Sequence, residues 1–358
     1  MVRNIDMKKK FIGAMLGSAL GDAIGEIVLY KAARGLIENH DVRCSVSVTE
    51  LIKLAAEFNQ LKYTDDTAMA IGLAESLISR GRIDPQRLGD RFRINYDREP
   101  WRGYAGGPPA IFLMVEQRGL SYVEASQRVG EALYGAQGSY GNGAAMRITP
   151  LGLYFYDDPD LYSLVEASAK PTHTHPVAAD GAAVLAKAIA IAVELLPQQA
   201  FDQQSFCREL IGFARTPEIT EKMRLVLTLL LGGASPSEAA DKLGRGVSTH
   251  ESVPFAIYSF LREPISFMSC LLCAVTNGGD CDTLGAMACG ISGAYLGVDA
   301  IPKNWAKKLE NRAYIAQLAC WLYEMKVGID KESERKRAAI EKWDRESAKL
   351  NQELLEEL

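Results

Sequence analysis

Glycines recur at every fourth position of an apolar segment near the start of the chain, at Gly13, Gly17, Gly21 and Gly25. The apolar residues between them also step by four, which is the spacing of a helix face and not of a strand. A glycine row weakens a helix by roughly 1 kcal/mol per residue relative to alanine, so close approach of another backbone is expected to compensate. A similar row of small residues lies within 285–297. The sequence therefore predicts two central, tightly packed helices.

Helical spacing of apolar residues continues along most of the chain. Further helices are predicted at 68–80, 84–96, 122–134, 160–169, 177–196, 203–215, 220–232, 236–243, 253–261, 265–276 and 304–325. Strand-like alternation is scarce, and the segment 42–48 (VRCSVSV) is the short candidate. We predict an all-α fold in which residues 1–325 form one compact helical domain, with the chemistry placed on glycine-rich loops between helices.

The last segment, 326–358, is rich in lysine, arginine and glutamate and is predicted to form a charged amphipathic helix. Its apolar seam has spacings of three and four, at Ile340, Trp343, Ser347, Leu350, Leu354 and Leu358. Two arrangements fit this seam: a solvated helix that rests on the domain, or a short coiled coil between subunits. We favour the first because the seam is shorter than the roughly three heptads that indicate a coiled coil. A monomer or a weak homo-oligomer is expected.

The charge balance argues against a broad nucleic-acid surface, because 40 lysines and arginines stand against 45 acidic residues, for a net charge of −5. We therefore expect no direct DNA binding. The seven cysteines suggest no disulfide framework, which indicates a reducing, cytoplasmic environment. Neither a signal peptide nor membrane association is expected, because acidic residues interrupt the first apolar stretch and the run 284–298 is too short to span a bilayer.

Two short acidic clusters each precede an apolar helix, namely Thr64-Asp65-Asp66 and Asp280-Cys281-Asp282-Thr283. Taken singly, each is explained as a helix cap, since acids in a first turn suit the helix dipole. Together they offer carboxylate and hydroxyl oxygens, the ligands that hard divalent cations prefer. Converging carboxylates would repel one another strongly without a cation. We therefore favour a metal site over two coincident caps.

Two further segments indicate ligand contacts. The loop 138–143 (GSYGNG) permits positive φ and close approach of backbone N–H groups to an anion, although a plain turn is its default explanation. Tyr140 offers an aromatic face to a base or ribose. Arg147 follows one helical turn later, where it either meets phosphate or pairs with a buried acid. In the segment 172–176 (THTHP), the histidines do not share a helix face, so a donor to substrate and a helix cap are the two alternatives.

In this order, the motifs resemble those of the ADP-ribosylglycohydrolase family, which includes ADP-ribosyl-acceptor hydrolases and dinitrogenase-reductase-activating glycohydrolases. The segments that carry the resemblance are LGSALGDAIG (16–25), YTDDTAMA (63–70), GSYGNGAAMR (138–147), THTHP (172–176), HESVPFAIYSFLR (250–262) and GGDCDTLGAMACGISGAYLG (278–297). The resemblance is nearest to the branch that removes ADP-ribose from serine, degrades poly(ADP-ribose) and cleaves O-acetyl-ADP-ribose. It implies a compact orthogonal helical bundle with two Mg²⁺ ions, or Mn²⁺ in their place.

The resemblance also implies roles for individual residues. Metal ligands would be Thr64, Asp65, Asp66, Asp280, Asp282 and Thr283. Substrate would be held by Ser139, Tyr140, Gly141, Asn142, Gly143 and His173, with Tyr134 against the adenine and Gly106 in a second substrate-lining loop. The general base would be Asp280 or Glu26.

One position departs from the family pattern. The glutamate that the family usually carries seven residues after the aspartate of LGD is Leu29 in this chain. Glu26 lies three residues earlier, and we expect it on a different part of the helix or its exit. The predicted function is Mg²⁺-dependent hydrolysis of the N- or O-glycosidic bond between ADP-ribose and a protein or small acceptor. The alternatives are a non-catalytic member that binds ADP-ribose or metal, and a purely structural bundle whose acids are helix caps.

Overall fold

The structure is a computed structural model that describes residues 6–33, 39–40, 43–44, 47–135, 137–328 and 333–356. The helices are α1 (Met7–Ala33), α2 (Val48–Glu57), α3 (Asp65–Arg80), α4 (Pro85–Arg98), α5 (Gly107–Arg118), α6 (Tyr122–Tyr134), α7 (Gly143–Met146), α8 (Thr149–Tyr154), α9 (Leu161–Ala169), α10 (Pro176–Glu194), α11 (Gln203–Phe213), α12 (Pro217–Leu231), α13 (Pro236–Leu243), α14 (Thr249–Arg262), α15 (Phe267–Val275), α16 (Cys281–Leu296), α17 (Lys303–Lys308), α18 (Arg312–Lys326) and α19 (Ser333–Glu356). Two short strands, β1 (Asn39–His40) and β2 (Arg43–Cys44), pair antiparallel. The all-α prediction is confirmed.

Helices α1 and α16 pass through the core with their backbones in contact. A Cβ atom built on Gly13 would lie 2.6 Å from the carbonyl oxygen of Gly293, and one built on Gly17 would lie 2.6 Å from that of Cys289. Each glycine thus stands where the main chain of the other helix passes, which is the compensation that the glycine row requires. The prediction of two central, tightly packed helices is confirmed.

Most of the other predicted helices are present with small shifts at their ends, as α3, α4, α6 and α9–α15. The predicted helix 304–325 is instead two helices, α17 and α18, because the chain turns at Asn311, whose φ is +50°. The candidate strand 42–48 contributes only Arg43–Cys44 among the described residues, and α2 already begins at Val48.

Helix α5 was not predicted, because its sequence begins with glycine and two prolines. Pro108 and Pro109 lie in the first turn of α5. A first turn tolerates proline, because its N–H groups have no partner within the helix in any case. The consequence for function is that a rigid helix, and not a long loop, follows the segment 102–106.

The C-terminal helix α19 packs on the rest of the protein through its first half. Ile340 is buried, and the ring of Trp343 stacks on that of Tyr314 with 4.3 Å between the ring centroids. These contacts agree with a helix that rests on the domain. The rest of the predicted seam lies outside the residues whose side chains the structure describes, namely Ser347, Leu350, Leu354 and Leu358.

By length and composition alone, the described helices α1 and α10 are apolar enough to cross a membrane. In each of them, 83% of the apolar window is buried inside the protein. A helix that is apolar on most sides is expected at the centre of a large core, and the packing of α1 and α10 accounts for their composition.

Candidate functional site

The site is built where the N-terminal ends of α3 and α16 meet the middle of α1. Asp22, on α1, is fully buried and accepts hydrogen bonds from the backbone N–H groups of Thr64 at 3.0 Å and Thr67 at 3.1 Å. It also accepts one from the Thr67 hydroxyl at 2.5 Å. Asp22 therefore fixes the first turn of α3. The sequence analysis missed this role, although a carboxylate inside an otherwise apolar, glycine-spaced helix was a visible signal.

The two acidic clusters converge, as their sequence pattern predicted. The Thr283 hydroxyl, at the start of α16, donates to an Asp66 carboxylate oxygen of α3 at 3.3 Å. Asp282 lies against Gly25 of α1, where the absence of a side chain lets the main chain of α16 approach. The structure thus brings acids from three helices to one place, and Asp65, Asp66, Asp280 and Asp282 all line one cavity.

Burial raises the pKa of every acid in this cluster, and the charges of neighbouring acids raise those of Asp65, Asp66 and Asp282 further. Burial raises the pKa of Asp22 to about 6, against the hydrogen bonds from Thr64 and Thr67. Burial first, and then the charges of Asp22 and Asp280, raise the pKa of Asp65 to about 7. The pKa of Asp66 is raised well above its ordinary value by burial and by its acidic neighbours. Such a site favours any positive charge that can enter it.

The donor atoms of the cluster suit a hard divalent cation. One carboxylate oxygen of Asp66, Oδ2, is buried with no hydrogen-bond partner, which is costly unless a ligand binds it. Within the described ranges, no three His, Cys, Asp or Glu side chains already converge on one point as metal ligands. An ion here would therefore take threonine hydroxyls and water molecules beside the carboxylates, a mixed oxygen set that Mg²⁺ accepts. The residues present fit such an ion.

The glycine-rich loop 138–143 is held in place by the start of α14. The Asn142 N–H donates to the Val247 carbonyl at 2.9 Å, and the Thr249 hydroxyl donates to the Gly141 carbonyl at 2.6 Å. Gly138 has φ of +82°, whereas Gly141 is not among the described residues with positive φ, contrary to the expectation for the loop as a whole. Only Gly138 therefore needs glycine for its backbone conformation.

Asn142 connects this loop to the acidic cluster. Its side-chain amide donates to an Asp280 carboxylate oxygen at 2.6 Å. That hydrogen bond lowers the pKa of Asp280, although burial has the larger effect and raises it. The loop and the acids consequently form one continuous wall of the cavity.

His173 is placed as a neutral hydrogen-bond donor. Burial lowers its pKa to about 3, and the nearby charge of Arg147 acts in the same direction. Arg147 donates to the Thr172 hydroxyl oxygen at 2.8 Å, and that hydroxyl lies 2.8 Å from Nδ1 of His173. Donation of the Thr172 hydroxyl to Nδ1 would leave the proton of the ring on Nε2. A Cβ atom built on Gly143 would lie 3.0 Å from that nitrogen.

Arg147 is fully buried, lines the cavity, and makes no ion pair with an acid among the described residues. It donates to the Gly143 carbonyl at 2.9 Å and to the Ser168 carbonyl at 3.1 Å. Its guanidinium lies over the Phe92 ring, 4.6 Å from the ring centroid. Arg147 therefore supports the glycine loop and His173 from behind, and burial lowers its pKa to about 9. The other histidine of the motif, His175, caps α10 by accepting from the Val177 N–H at 3.1 Å.

The cavity enclosed by these elements has a volume of about 490 Å³. This is within the range of pockets that hold drug-sized ligands. Of the predicted substrate contacts, the residues that line it are Tyr134, Ser139, Tyr140, Gly141, Asn142, Gly143 and His173. Tyr134 and Tyr140 are 47% and 45% exposed at its rim, so part of each ring is accessible to a planar group.

Three predicted residues lie outside the cavity wall. Gly106 is exposed, and a Cβ atom built on it would meet nothing within 4 Å, so the substrate-lining position belongs to its neighbour Gly107. Thr64 is buried as the cap of α3, where its hydroxyl oxygen accepts from the Asp66 N–H at 3.4 Å. Glu26 is exposed beside the cluster.

Glu26 does not lie on a different part of the helix, as the sequence analysis expected. Helix α1 continues without a break to Ala33. The spacing of Asp22, Glu26 and Leu29 is that of one helix face, so Glu26 stands between the buried aspartate and the position of the family glutamate. Its charge contributes to the raised pKa of Asp282. Leu29 is half-buried and packs against the hydrophobic core.

Comparison with known proteins agrees with the motifs. The sequence model of the ADP-ribosylglycohydrolase family matches residues 3–331. The chain is 29% identical over 339 residues to ADP-ribosylhydrolase ARH3 of Homo sapiens, an alignment that covers 84% of this chain and 89% of that protein. It is 30% identical over 331 residues to the protein of the same name from Xenopus tropicalis, covering 84% and 91%.

The likeness extends to an uncharacterised bacterial protein and to solved structures. The chain is 30% identical over 313 residues to YegU of Escherichia coli K12, covering 82% of this chain and 89% of that protein. A solved structure described as an ADP-ribosylglycohydrolase-related protein complex superposes with a TM-score of 0.65 at 26% identity, covering 89% of this chain and 99% of that one. The resemblance found in the sequence motifs is confirmed, and this chain belongs to the ADP-ribosylglycohydrolase family of hydrolases.

Proposed function

We propose that this protein hydrolyses the N- or O-glycosidic bond that joins ADP-ribose to an acceptor, in a reaction that depends on Mg²⁺. The observation that carries the proposal is the meeting of two unlike surfaces in one cavity. One surface is a cluster of buried carboxylates, and the other is a glycine-rich loop beside a neutral histidine donor. Asn142 joins them, because it belongs to the loop and donates to Asp280 at 2.6 Å.

Two Mg²⁺ ions would be held by oxygen donors at the starts of α3 and α16, namely Thr64, Asp65, Asp66, Asp280, Asp282 and Thr283. When bound, Mg²⁺ supplies positive charge and lowers the pKa of a water molecule. Mn²⁺ prefers the same oxygen ligands and would substitute. The unpartnered Asp66 Oδ2 supports this assignment, because it is a buried carboxylate oxygen of the cluster without a hydrogen-bond partner.

The remaining residues of the cavity would bind and orient ADP-ribose. Backbone N–H groups of the loop 138–143 suit the diphosphate, and Nε2–H of His173 would donate to an oxygen of the diphosphate or ribose. The exposed rings of Tyr134 and Tyr140 offer stacking faces to the adenine and the adjacent ribose. In this arrangement the far end of the ligand, with its glycosidic bond, would lie toward the carboxylates.

Asp280 is the general base that the geometry favours. The amide of Asn142 occupies one of its carboxylate oxygens and favours the ionised form. In this role the other oxygen, when it is not bound to a metal ion, would accept a proton from the attacking water as the sugar develops positive charge. Glu26 is the second candidate, since it follows Asp22 on the same face of α1.

Serine-linked ADP-ribose is the first substrate to test, because the motifs GSYGNGAAMR and ESVPFAIYSFLR resemble the serine-specific branch. The experiment is product analysis with serine-, arginine- and O-acetyl-linked ADP-ribose, each with Mg²⁺ and with EDTA. We expect free ADP-ribose from at least one substrate with Mg²⁺ and none with EDTA. Release that EDTA leaves unchanged would contradict metal dependence, and no release from any substrate would contradict catalysis.

The assignment of the loop is tested separately by binding. A methyl group added at Gly143 would lie 2.6 Å from the His173 ring, so Gly143→Ala should weaken ADP-ribose binding in calorimetry. Gly106→Ala is the matched control, because that glycine is exposed and has open space beside it. Equal affinity of the two variants would remove the loop from the site.

One observation favours a second function, a non-catalytic member that binds ADP-ribose. The position of the family glutamate is Leu29, a half-buried apolar side chain in this structure. Calorimetric binding of ADP-ribose by a protein that releases no product from any of the three substrates would establish that alternative.

A further inference from the structure

A second cavity lies between α3, α4 and α19, away from the acidic cluster. Its volume is about 340 Å³, and its wall carries the side chains of Arg80, Arg87, Arg91 and Arg337. We refer to this space, whose wall includes these four arginines, as the arginine cleft. The family model ends at residue 331, so the wall contributed by α19 comes from a segment beyond the matched range.

The arginines of the cleft differ in how far their charge is compensated. The charge of Arg91 is already compensated within the protein, because Arg91 lies 2.8 Å from Asp344 and 3.5 Å from Glu75. Arg87 makes only a long contact with Asp90, at 3.6 Å. Arg80 and Arg337 are exposed, and none of the ion pairs among the described residues includes them. Two guanidinium groups from separate helices are thus available to an anion.

The acidic residues of the cleft do not cancel this charge. Asp90 faces Arg87 at the long distance given above, and Glu341 is exposed on α19 without an ion pair to the described arginines. The hydroxyls of Ser76 and Ser79 also line the cleft. Several arginine N–H groups beside hydroxyl donors form a combination suited to phosphate oxygens, which accept several hydrogen bonds at once.

We propose that the arginine cleft binds a phosphate-bearing anion, which bridges Arg80 of α3 and Arg337 of α19. The ligand would connect the C-terminal helix to the helix whose first turn carries Asp65 and Asp66. Inorganic phosphate, pyrophosphate and the diphosphate of ADP-ribose share this chemistry. The proposal is independent of the function proposed for the larger cavity, because no residue lines both.

The test is calorimetric titration of the full chain with phosphate, pyrophosphate and ADP-ribose at constant ionic strength. We expect saturable binding of at least one ligand, and a loss of affinity of about tenfold or more in the double variant Arg80→Ala/Arg337→Ala, since both lost hydrogen bonds are charge-assisted. Arg224→Ala/Arg312→Ala is the control, because both residues are exposed and lie outside the cleft. The ligand whose affinity falls only in the cleft variant identifies the source of the phosphate.

Absence of saturable binding, or equal affinities of the two double variants, would overturn the proposal. Hydrogen exchange provides a second readout, because a bridging anion should slow amide exchange in the first half of α19. Unchanged exchange at saturating ligand would overturn the bridge. Asp282→Asn separates this proposal from the proposed function, since it should abolish the response to Mg²⁺ and leave binding in the cleft intact.

Discussion

Helix α3 carries two buried carboxylates whose surroundings differ. Glu75, in its second half, accepts a hydrogen bond from the Tyr314 hydroxyl at 2.6 Å and lies 3.5 Å from Arg91. Asp66, in its first turn, accepts one hydrogen bond from Thr283 at 3.3 Å and has an oxygen with no partner. Both side chains are almost completely shielded from solvent, at 0% and 2% exposure.

This difference shows how the charges around a buried acid indicate its role. Burial raises the pKa of both groups, but Arg91 and Arg98 lower that of Glu75, whereas the charges nearest Asp66 are acids that raise it further. A buried acid with a cationic partner is part of the scaffold. A buried acid without one, at the wall of a cavity, is a site that a cation would complete.

The largest expected effect comes from removing the charge of Asp66, the buried acid without a cationic partner. Asp66→Asn should abolish the rise in Tm on addition of Mg²⁺ and abolish Mg²⁺-dependent hydrolysis, while it raises the Tm of the metal-free protein by relieving repulsion. Thermal unfolding with EDTA and with Mg²⁺ measures both. Asp160→Asn, at an exposed position, is the control and should change neither. A lower Tm for metal-free Asp66→Asn than for the metal-free wild type would contradict the view that neighbouring acids destabilise Asp66.

Substitution of Glu75, the acid with a cationic partner, should lower the stability of the protein, whereas substitution of Asp66 should raise that of the metal-free protein. Glu75→Gln leaves Arg91 with less compensation and should cost about 3 kcal/mol of unfolding free energy, the lower end for breaking a buried pair, with the Mg²⁺ response retained. Urea unfolding measures the change. Glu116→Gln removes an ion pair to Arg93 whose glutamate side chain is 58% exposed, and should cost less than about 1 kcal/mol. Similar costs for the two variants would show that Glu75 is not a structural anchor.

A third prediction concerns Glu26, which lies at the edge of the uncompensated cluster. If its position on the Asp22 face serves catalysis, Glu26→Gln should lower turnover by about 10²-fold or more, the scale of a general base. Leu29→Glu should then add little. The exposed Glu221→Gln is the control. Unchanged turnover in Glu26→Gln would assign the base to Asp280, and a gain in Leu29→Glu over a near-background rate would show that Leu29 has cost the protein its activity.

The smallest expected effect is a pH dependence of the metal-free protein. The pKa values of Asp22 and Asp65 are raised from 3.8 to about 6 and about 7. At pH values between these ordinary and raised pKa values, the folded state therefore binds more protons than the unfolded state. Their contribution to stability is therefore present at pH 4 and is lost as the pH rises through 7. Urea unfolding in EDTA across this range should show a shallower fall for Asp65→Asn than for the wild type. A steeper fall in the variant would contradict the raised pKa.

Local sequence patterns were sufficient for the central helices and for most of the candidate residues that line the cavity. The four-residue glycine spacing predicted the contact between α1 and α16, because close packing of two helix backbones requires small residues at regular spacing in both helices. Each acidic cluster was recognisable as a helix start, and the hypothesis of a shared metal site required the two clusters to converge, as they do in the structure. The residues predicted to contact the diphosphate and ribose, Ser139, Tyr140, Gly141, Asn142 and Gly143, line the cavity.

What sequence did not predict depends on contacts between distant segments. The support of α3 by Asp22 and of His173 by Arg147 through Thr172 is tertiary, and no local pattern encodes it. Gly106 was assigned to the cavity one residue from Gly107, because the start of α5 is hidden by its prolines. The arginine cleft joins residues separated by most of the chain length.

The glycine row between α1 and α16 also limits how this protein can be stabilised by design. Replacing a helical glycine with alanine ordinarily raises helix propensity and reduces the entropy of the unfolded chain, and is a common route to thermostability. At Gly13 or Gly17, a methyl group would occupy space that the main chain of α16 already fills. The helices would have to separate, and Asp22 would move away from the acids of α16. The glycine row of α1 is thus poorly open to this kind of improvement, because the missing carbon atoms set the distance between the acids.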